Sequence, residues 1–170
     1  QAVLGNLILL KEIKSGTKVK DRSTFTAQSI LASIIKAKDK DLKAKNLTIE
    51  HSGSLGTIHQ NSELVSFILN TTIDNAIKFS NPDGKIGINY EGKNGMAKFT
   101  ITDTGKGISK EGMMHLFKPF TRTGSALHFD YEGFGFSLFL SRIIAEHLGG
   151  DIQVQSQPNK GTTVTVRFAR

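Results

Sequence analysis

Three groups of residues combine types and spacings suited to a charged, polar ligand. The first lies in residues 61–80, NSELVSFILNTTIDNAIKFS, where Val65, Leu69, Ile73 and Ala76 fall on one helical face. Leu64, Phe67 and Ile68 extend the apolar surface around most of the first half. Thr71, Asn75 and Lys78 recur at spacings of four and three, which puts them in one stripe, with Asn70 and Asp74 on the stripe beside it. A buried helix that turns polar along one line is lining something polar. The second group is Asp103-Thr104-Gly105-Lys106-Gly107-Ile108, at the end of an alternating segment. Glycines there let the backbone approach a ligand, and a carboxylate can accept from a ligand amine. The same string also reads as an ordinary turn with a solvated aspartate. The third group, Gly133-Phe134-Gly135-Phe136, leads into a helix. A glycine-entered helix N-terminus offers free N–H groups to an anion, although the string reads equally well as a plain loop joined to a cap. Taken together, the groups fit a nucleotide and a hydrated magnesium ion. Magnesium takes oxygen ligands and keeps several waters, so one Asn carbonyl and the phosphates make a sufficient shell, and lysine adds a point charge.

Other chemistries find no support. There is no GxxxxGK[ST] phosphate loop, and a dinucleotide fingerprint would need glycine where Leu138 stands. His51, His59, His115, His128 and His147 never approach metal-ligand spacing and are expected on the surface or as filler. With no cysteine, disulfide and thiolate chemistry are excluded. Gly161-Thr162-Thr163 reads as a tight turn into a strand and by itself means nothing more.

The elements that must position these residues follow from periodicity and turn signals. Residues 2–14 read as the last turns of a helix, stopped at Ser15-Gly16-Thr17, too apolar and short to stand alone and expected to pack on a partner helix outside the segment. Residues 17–24 are read as a polar linker. A helix is expected over 26–44, a strand over 47–52, and a brief return pairing over 57–60. Asn61 is the expected N-cap of the 61–80 helix. Strands over 85–91 and 96–103 form a hairpin, a short helix covers 109–117, and a longer one covers 137–148. Strands over 151–157 and 162–168 close a second hairpin. Hairpin connections imply a mixed, largely antiparallel sheet, and the order of elements predicts an α/β two-layer sandwich with helices on one face.

The chain has 170 residues, enough for one domain with a real core, and a formal net charge of +7. Residues 1–46 hold ten Lys/Arg against four Asp/Glu, so the basic excess sits almost wholly there, without interleaved aromatics. Solvated helix faces account for it better than a nucleic-acid surface, and no nucleic-acid partner is expected. No apolar run is long enough to span a bilayer. Gln1 onward reads as the middle of a helix, so the chain is expected to be a segment of a longer one.

On these motifs the sequence resembles the catalytic, ATP-binding domain of a bacterial sensor histidine kinase, a fold shared with type II topoisomerases, the mismatch-repair ATPase MutL and a heat-shock chaperone family (the GHKL superfamily). The resemblance rests on an asparagine box in DNAIKFS, a glycine box in DTGKGI, a phenylalanine box in HLFKPFTR, a second glycine box in GFGFSLFLSRIIAEHLGG and a final glycine turn in GTTVTV. It covers residues 25–168, and the segment before residue 17 resembles the end of a dimerisation helix, giving an expected division into 1–16, 17–24 and 25–170. The resemblance implies ATP and Mg2+ as cofactors, with Asn75 the magnesium ligand and Lys78 a phosphate contact. It implies that Asp103 accepts from the adenine amine, that Gly105, Gly107 and Ile108 shape the adenine pocket, and that Thr162 helps close it. Phe117 and Phe120 would hinge a lid over ATP, Arg122 in that lid would reach the terminal phosphate, and Gly133, Gly135, Ser137 and Leu138 would lie at the phosphate end.

Two positions depart from the family pattern. Thr71 stands four residues before Asn75, where the family has Asn, or Glu in its ATPase relatives, and Ser137 replaces a third glycine. Both bear on nucleotide affinity or turnover more than on fold. No histidine here is followed by an acid, as the phosphoacceptor of such kinases is: His51 precedes Ser52 and His115 precedes Leu116. The expected function is therefore transfer of the ATP γ-phosphate to a histidine on a dimerisation domain outside the segment, and onward to a response regulator receiver domain. The full-length protein is expected to be a homodimer, and the domain itself is expected to work in the cytoplasm, with the full-length protein anchored in a membrane or not. The alternative is a degenerate nucleotide-binding regulatory module without kinase activity.

Overall fold

A computed structural model describes residues 2–16, 21–118 and 136–170. In chain order the elements are α1 (Ala2–Lys14), β1 (Ser23–Phe25), α2 (Ala27–Ala37), α3 (Asp39–Ala44), β2 (Thr48–Ser54), β3 (Ile58–Gln60) and α4 (Ser62–Phe79). Then follow β4 (Lys85–Lys93), β5 (Met96–Asp103), α5 (Lys110–His115), α6 (Ser137–His147), β6 (Asp151–Gln157) and β7 (Gly161–Ala169). Five strands form one sheet in the order β2-β4-β5-β7-β6, with β2 parallel to β4 and every other pairing antiparallel. The expected two-layer sandwich is the fold observed.

Alternation on the strands decides which face is covered. Ile86, Ile88 and Tyr90 of β4, Ala97, Phe99 and Ile101 of β5, and Val166 and Phe168 of β7 all point inward and are buried. Tyr90, Phe99 and Phe168 form a ring series at centroid distances of 5.9 and 5.8 Å. A fully buried Phe contributes on the order of 1.5–3 kcal/mol relative to exposure. The intervening residues, among them Asn89, Thr102 and Gln155, are exposed on the other face. The β4–β5 turn is Asn94-Gly95, both at positive φ, between the paired Lys93 and Met96, the two-residue hairpin that matches strand twist.

Helix α4 runs across the covered face and packs on β5, α2 and α6. Asn61 caps it as expected, its side chain accepting from the Leu64 amide at 3.0 Å. Its far end is capped by a residue distant in sequence. The Lys45 ammonium donates to the carbonyls of Ile77, Lys78 and Ser80 at 2.9, 2.6 and 3.1 Å. A cation at a helix C-terminus satisfies orphan carbonyls and opposes the dipole. Burial lowers the pKa of Lys45, and the nearby charge of Lys106 lowers it further.

Three expectations change. The helix expected over 26–44 is two helices that break at Lys38, whose ammonium reaches Asp74 of α4 at 2.7 Å; no Gly or Pro announces the break. Residues 57–60 do not pair back on β2. β3 pairs antiparallel with β1, which begins inside the stretch read as linker, and Ile58 and Gln60 are buried there. A three-residue strand is too short to show a period. Helix α1 packs against α6 within the chain and buries Ile13 fully, while Leu7 and Ile8 stay about half exposed. No helix among the described residues is long and apolar enough to cross a membrane.

Because Lys45 holds the end of α4 from outside that helix, Lys45→Met should cost about 1–2 kcal/mol. Thermal unfolding followed by circular dichroism should show a midpoint lower by about 2–8 °C. An unchanged midpoint would mean that water replaces the ammonium without loss.

Candidate functional site

Asp103 takes the next inward position after Ala97, Phe99 and Ile101, so strand alternation carries a carboxylate to the rim of the core. It is 5% exposed. One carboxylate oxygen accepts from the Gly105 amide at 2.8 Å, and Thr162 is the residue directly opposite across the β5–β7 ladder. Burial raises the Asp103 pKa above the ordinary aspartate value, against the opposing effect of the backbone amides beside it.

The loop after Asp103 is wedged between two neighbours. The Lys106 amide donates to the Phe79 carbonyl at the end of α4 at 3.3 Å, and the Lys106 carbonyl accepts from the Asn159 amide in the β6–β7 turn at 2.8 Å. A Cβ at Gly105 would collide with the Phe79 carbonyl, and one at Gly107, where φ is +65°, with the Gln157 carbonyl. A Cβ at Gly161 (φ +88°) would collide with the carbonyl of Asp103. The glycines of this site therefore have a packing reason of their own: three backbones meet where no side chain fits. Ile108 is half-buried, its amide donating to the Ser156 hydroxyl at 2.9 Å.

The polar stripe on α4 rises out of the core along the helix. Thr71 is 8% exposed, Asn75 half-buried and Lys78 exposed. The Asn75 amide has no hydrogen-bond partner among the described residues. Asp74, beside the stripe, is engaged by Lys38, and the Thr72 hydroxyl turns back on the carbonyls of Ile68 and Leu69. No cluster of three or more His, Cys, Asp or Glu able to hold a metal exists among the described residues. The described residues thus build no bare cation cage. An unpartnered Asn carbonyl at the edge of a polar stripe suits an ion that keeps its waters and takes most ligands from a phosphate chain, as magnesium does.

Ser137 and Leu138 are the first residues of α6, both half-buried, and α6 packs on α4. Phe117, just past α5, lies under α6 with the Arg142 guanidinium 5.1 Å from its ring centroid. Phe120, Arg122, Gly133 and Gly135 lie outside the described residues. The described candidates thus form two joined groups: Asp103, Gly105, Gly107, Ile108 and Thr162 at the sheet end, and Thr71, Asn75 and Lys78 on α4. The Lys106–Phe79 backbone bond links them.

Sequence reasoning missed Phe79, Lys106, Lys45 and Ser156. Phe79 is 44% exposed at the end of the stripe, and the ammonium groups of Lys78 and Lys106 each lie 5.9 Å from its ring centroid. An apolar residue left exposed beside polar ones breaks no sequence pattern. Ser156 and Lys45 reach the site only through chain reversals.

The fold and site define a two-layer α/β domain in which the loop after Asp103, at one end of the sheet, is bonded to the end of the polar helix stripe. The family model described as histidine kinase-, DNA gyrase B-, and HSP90-like ATPase matches residues 60–170, and the chain belongs to this family as a histidine kinase catalytic, ATP-binding domain. A sensor-like histidine kinase of Rhizobium meliloti is 33% identical over 124 residues, 73% of this chain and 24% of that one. The structure of the Acinetobacter baumannii histidine kinase AdeS superposes with a TM-score of 0.79, at 25% identity, covering 98% of this chain and 76% of that one. Full-length ShkA in complex with AMPPNP gives a TM-score of 0.81 at 19% identity, over 99% of this chain and 35% of that one, a likeness of fold. The chain spans from 22% to 35% of the length of the first curated relatives it matches.

Gly161→Ala would force a Cβ into the Asp103 carbonyl at a positive φ. Urea unfolding should show a loss of about 1–3 kcal/mol. A loss below about 0.5 kcal/mol would show that the turn relaxes without cost.

Proposed function

We propose that this domain binds Mg2+-ATP and presents its γ-phosphate to a histidine on the dimerisation domain of the same protein. The observation that carries the reading is Asp103, a buried carboxylate at the sheet end whose backbone neighbours are bonded to the end of a polar helix stripe. In this reading Asp103 accepts from the exocyclic amine of adenine and so selects the base. Gly105, Gly107, Ile108 and Thr162 shape the pocket around it. Asn75 holds the magnesium ion, which when bound neutralises phosphate charge, and Lys78 contacts phosphate. Phe117 and Phe120 hinge the lid, Arg122 reaches the terminal phosphate, and Gly133, Gly135, Ser137 and Leu138 lie at the phosphate end. The histidine nitrogen attacks phosphorus in line, the bond to the bridging oxygen breaks, and ADP leaves. Positioning and charge neutralisation do most of the work. The phosphoryl group then passes to a response regulator. The full-length protein acts as a homodimer, with this domain in the cytoplasm, where ATP is.

A second reading, a nucleotide-binding regulatory module without transfer, draws on Thr71 and Ser137. Thr71 is nearly buried and offers a hydroxyl where the family places a longer amide or acid.

A fluorescent ATP analogue should bind saturably and more tightly with magnesium; no saturation at high micromolar concentration overturns both readings. With a fragment carrying the upstream helix added, acid-labile phosphate should appear on the fragment. Its absence with intact ATP binding selects the regulatory module. Asn75→Asp should lower transfer by about tenfold or more, with a thermal midpoint within about 4 °C of wild type.

The raised pKa of Asp103 also fixes a pH dependence. The ionised, accepting form exists above that pKa and is lost as pH falls through it, at a higher pH than for a free aspartate. Folding favours the protonated form, so the stability this group contributes is present below the ordinary aspartate pKa and lost as pH rises through the raised one. The preference for ADP over inosine diphosphate, whose phosphates titrate alike, should therefore shrink on acidification, as read by calorimetry across pH. A pH-independent preference would remove Asp103 from base recognition.

A further inference from the structure

The end of α4 is closed by groups from two other segments. A helix C-terminus carries a partial negative charge and leaves its last carbonyls without intrahelical donors. Here the ammonium of Lys45, the C-cap residue of α3, donates to the carbonyls of Ile77, Lys78 and Ser80 at 2.9, 2.6 and 3.1 Å. The carbonyl it skips, that of Phe79, accepts from the Lys106 amide at 3.3 Å. The Lys106 side chain turns to the same place, its ammonium 5.9 Å from the centroid of the Phe79 ring.

An ammonium group has three N–H donors, and in Lys45 all three are spent on carbonyls. Lys45 can therefore act on a ligand only through its charge. No carboxylate among the described residues forms an ion pair with Lys45 or Lys106. Asp74 on α4 is engaged by Lys38, and Asp83 in the turn after α4 accepts from the Asn46 amide at 2.6 Å. Like charges gathered without a counter-charge repel one another, and an anion bound beside them relieves that repulsion. The same end of α4 carries Asn75 and Lys78, where the proposed function puts magnesium and the phosphate chain. Left without a cation, the negative end of the helix would oppose a polyphosphate there.

We propose that Lys45, with Lys106 beside it, acts on the phosphate chain by charge: the two ammonium groups cancel the negative end of α4 and make the site favour nucleotides in proportion to their charge. This rests on the reading that places the phosphates along Asn75 and Lys78. Lys45 is partly buried and Lys106 exposed, so salt screens Lys106 more.

The test is displacement of a fluorescent ATP analogue by ATP and by AMP, at constant magnesium, in wild type, Lys45→Met, Lys45→Arg, Lys106→Gln and Lys78→Gln. Lys45→Met should lower the ATP-over-AMP affinity ratio by about three- to tenfold. Lys45→Arg, which keeps the charge, should hold the ratio within about twofold of wild type. Lys106→Gln should lower it by about two- to threefold at low salt, and the loss should shrink at about 0.5 M salt. A wild-type ratio in Lys45→Met overturns the proposal. Equal losses for ATP and AMP also overturn it, since they mark a merely structural role, and so does a ratio as low in the Arg variant as in the Met variant. If Lys45→Met fails to fold, Lys106→Gln still decides: the bond from Lys106 to Phe79 is made by its backbone and survives the substitution, and an unchanged ratio at low salt overturns the proposal. Lys78→Gln separates the two readings. If it leaves the ratio at the wild-type value, the phosphate chain does not lie along α4, and the site reading fails and takes Lys45 with it; if it lowers the ratio while Lys45→Met and Lys106→Gln keep it, only the charge proposal fails.

Discussion

A carboxylate sits where the alternation of β5 calls for another apolar side chain. Ala97, Phe99 and Ile101 lead inward to Asp103, and the antiparallel register sets Thr162 opposite it. Burying that charge is unfavourable, and its raised pKa records the burial. The Gly105 amide offsets part of the cost. That amide comes from a loop with no repetitive structure of its own, and the loop's placement depends on close backbone approaches at Gly105, Gly107 and Gly161. The local architecture at this end of the sheet follows from keeping one acidic group in place.

Helix α4 brings the second half of the site to the same place. It is anchored at its start by its own Asn61, at its end by Lys45, and along its flank by the Lys38–Asp74 pair. The ion pair is partly exposed, and such pairs contribute little, of order 0–1 kcal/mol. The Lys45 cap is the stronger restraint because it serves three carbonyls at once. The stripe of Thr71, Asn75 and Lys78 therefore stands on a helix fixed at both ends. The loop after Asp103 is bonded directly to its last turn through Phe79.

Much of this was legible from sequence. Periodicities of 3.6 and 2 placed α4, α6, β4, β5, β6 and β7, and turn residues placed both hairpins. The family motifs pointed to Asp103, Asn75 and the glycines. What escaped was non-local. The break at Lys38 carries no Gly or Pro, because the pairing of its side chain with Asp74 lies 36 residues away. The β1–β3 pairing joins two three-residue segments 33 residues apart at their closest matched positions, Phe25 and Ile58. Short segments of that kind carry no period.

The sequence alone determined the class of fold and the kind of ligand, because hydrophobic period, turn chemistry and ordered motifs are local properties of the chain. Tertiary structure decided why Asp103 is buried, which amide holds it, and that the glycines are required by backbones in contact. It also decided that Lys45 and Ser156 belong to the support of the site. Those facts depend on which distant segments meet, and a hydroxyl such as that of Ser156 gains its role only when a loop, a turn and a strand converge on its one hydrogen and two lone pairs.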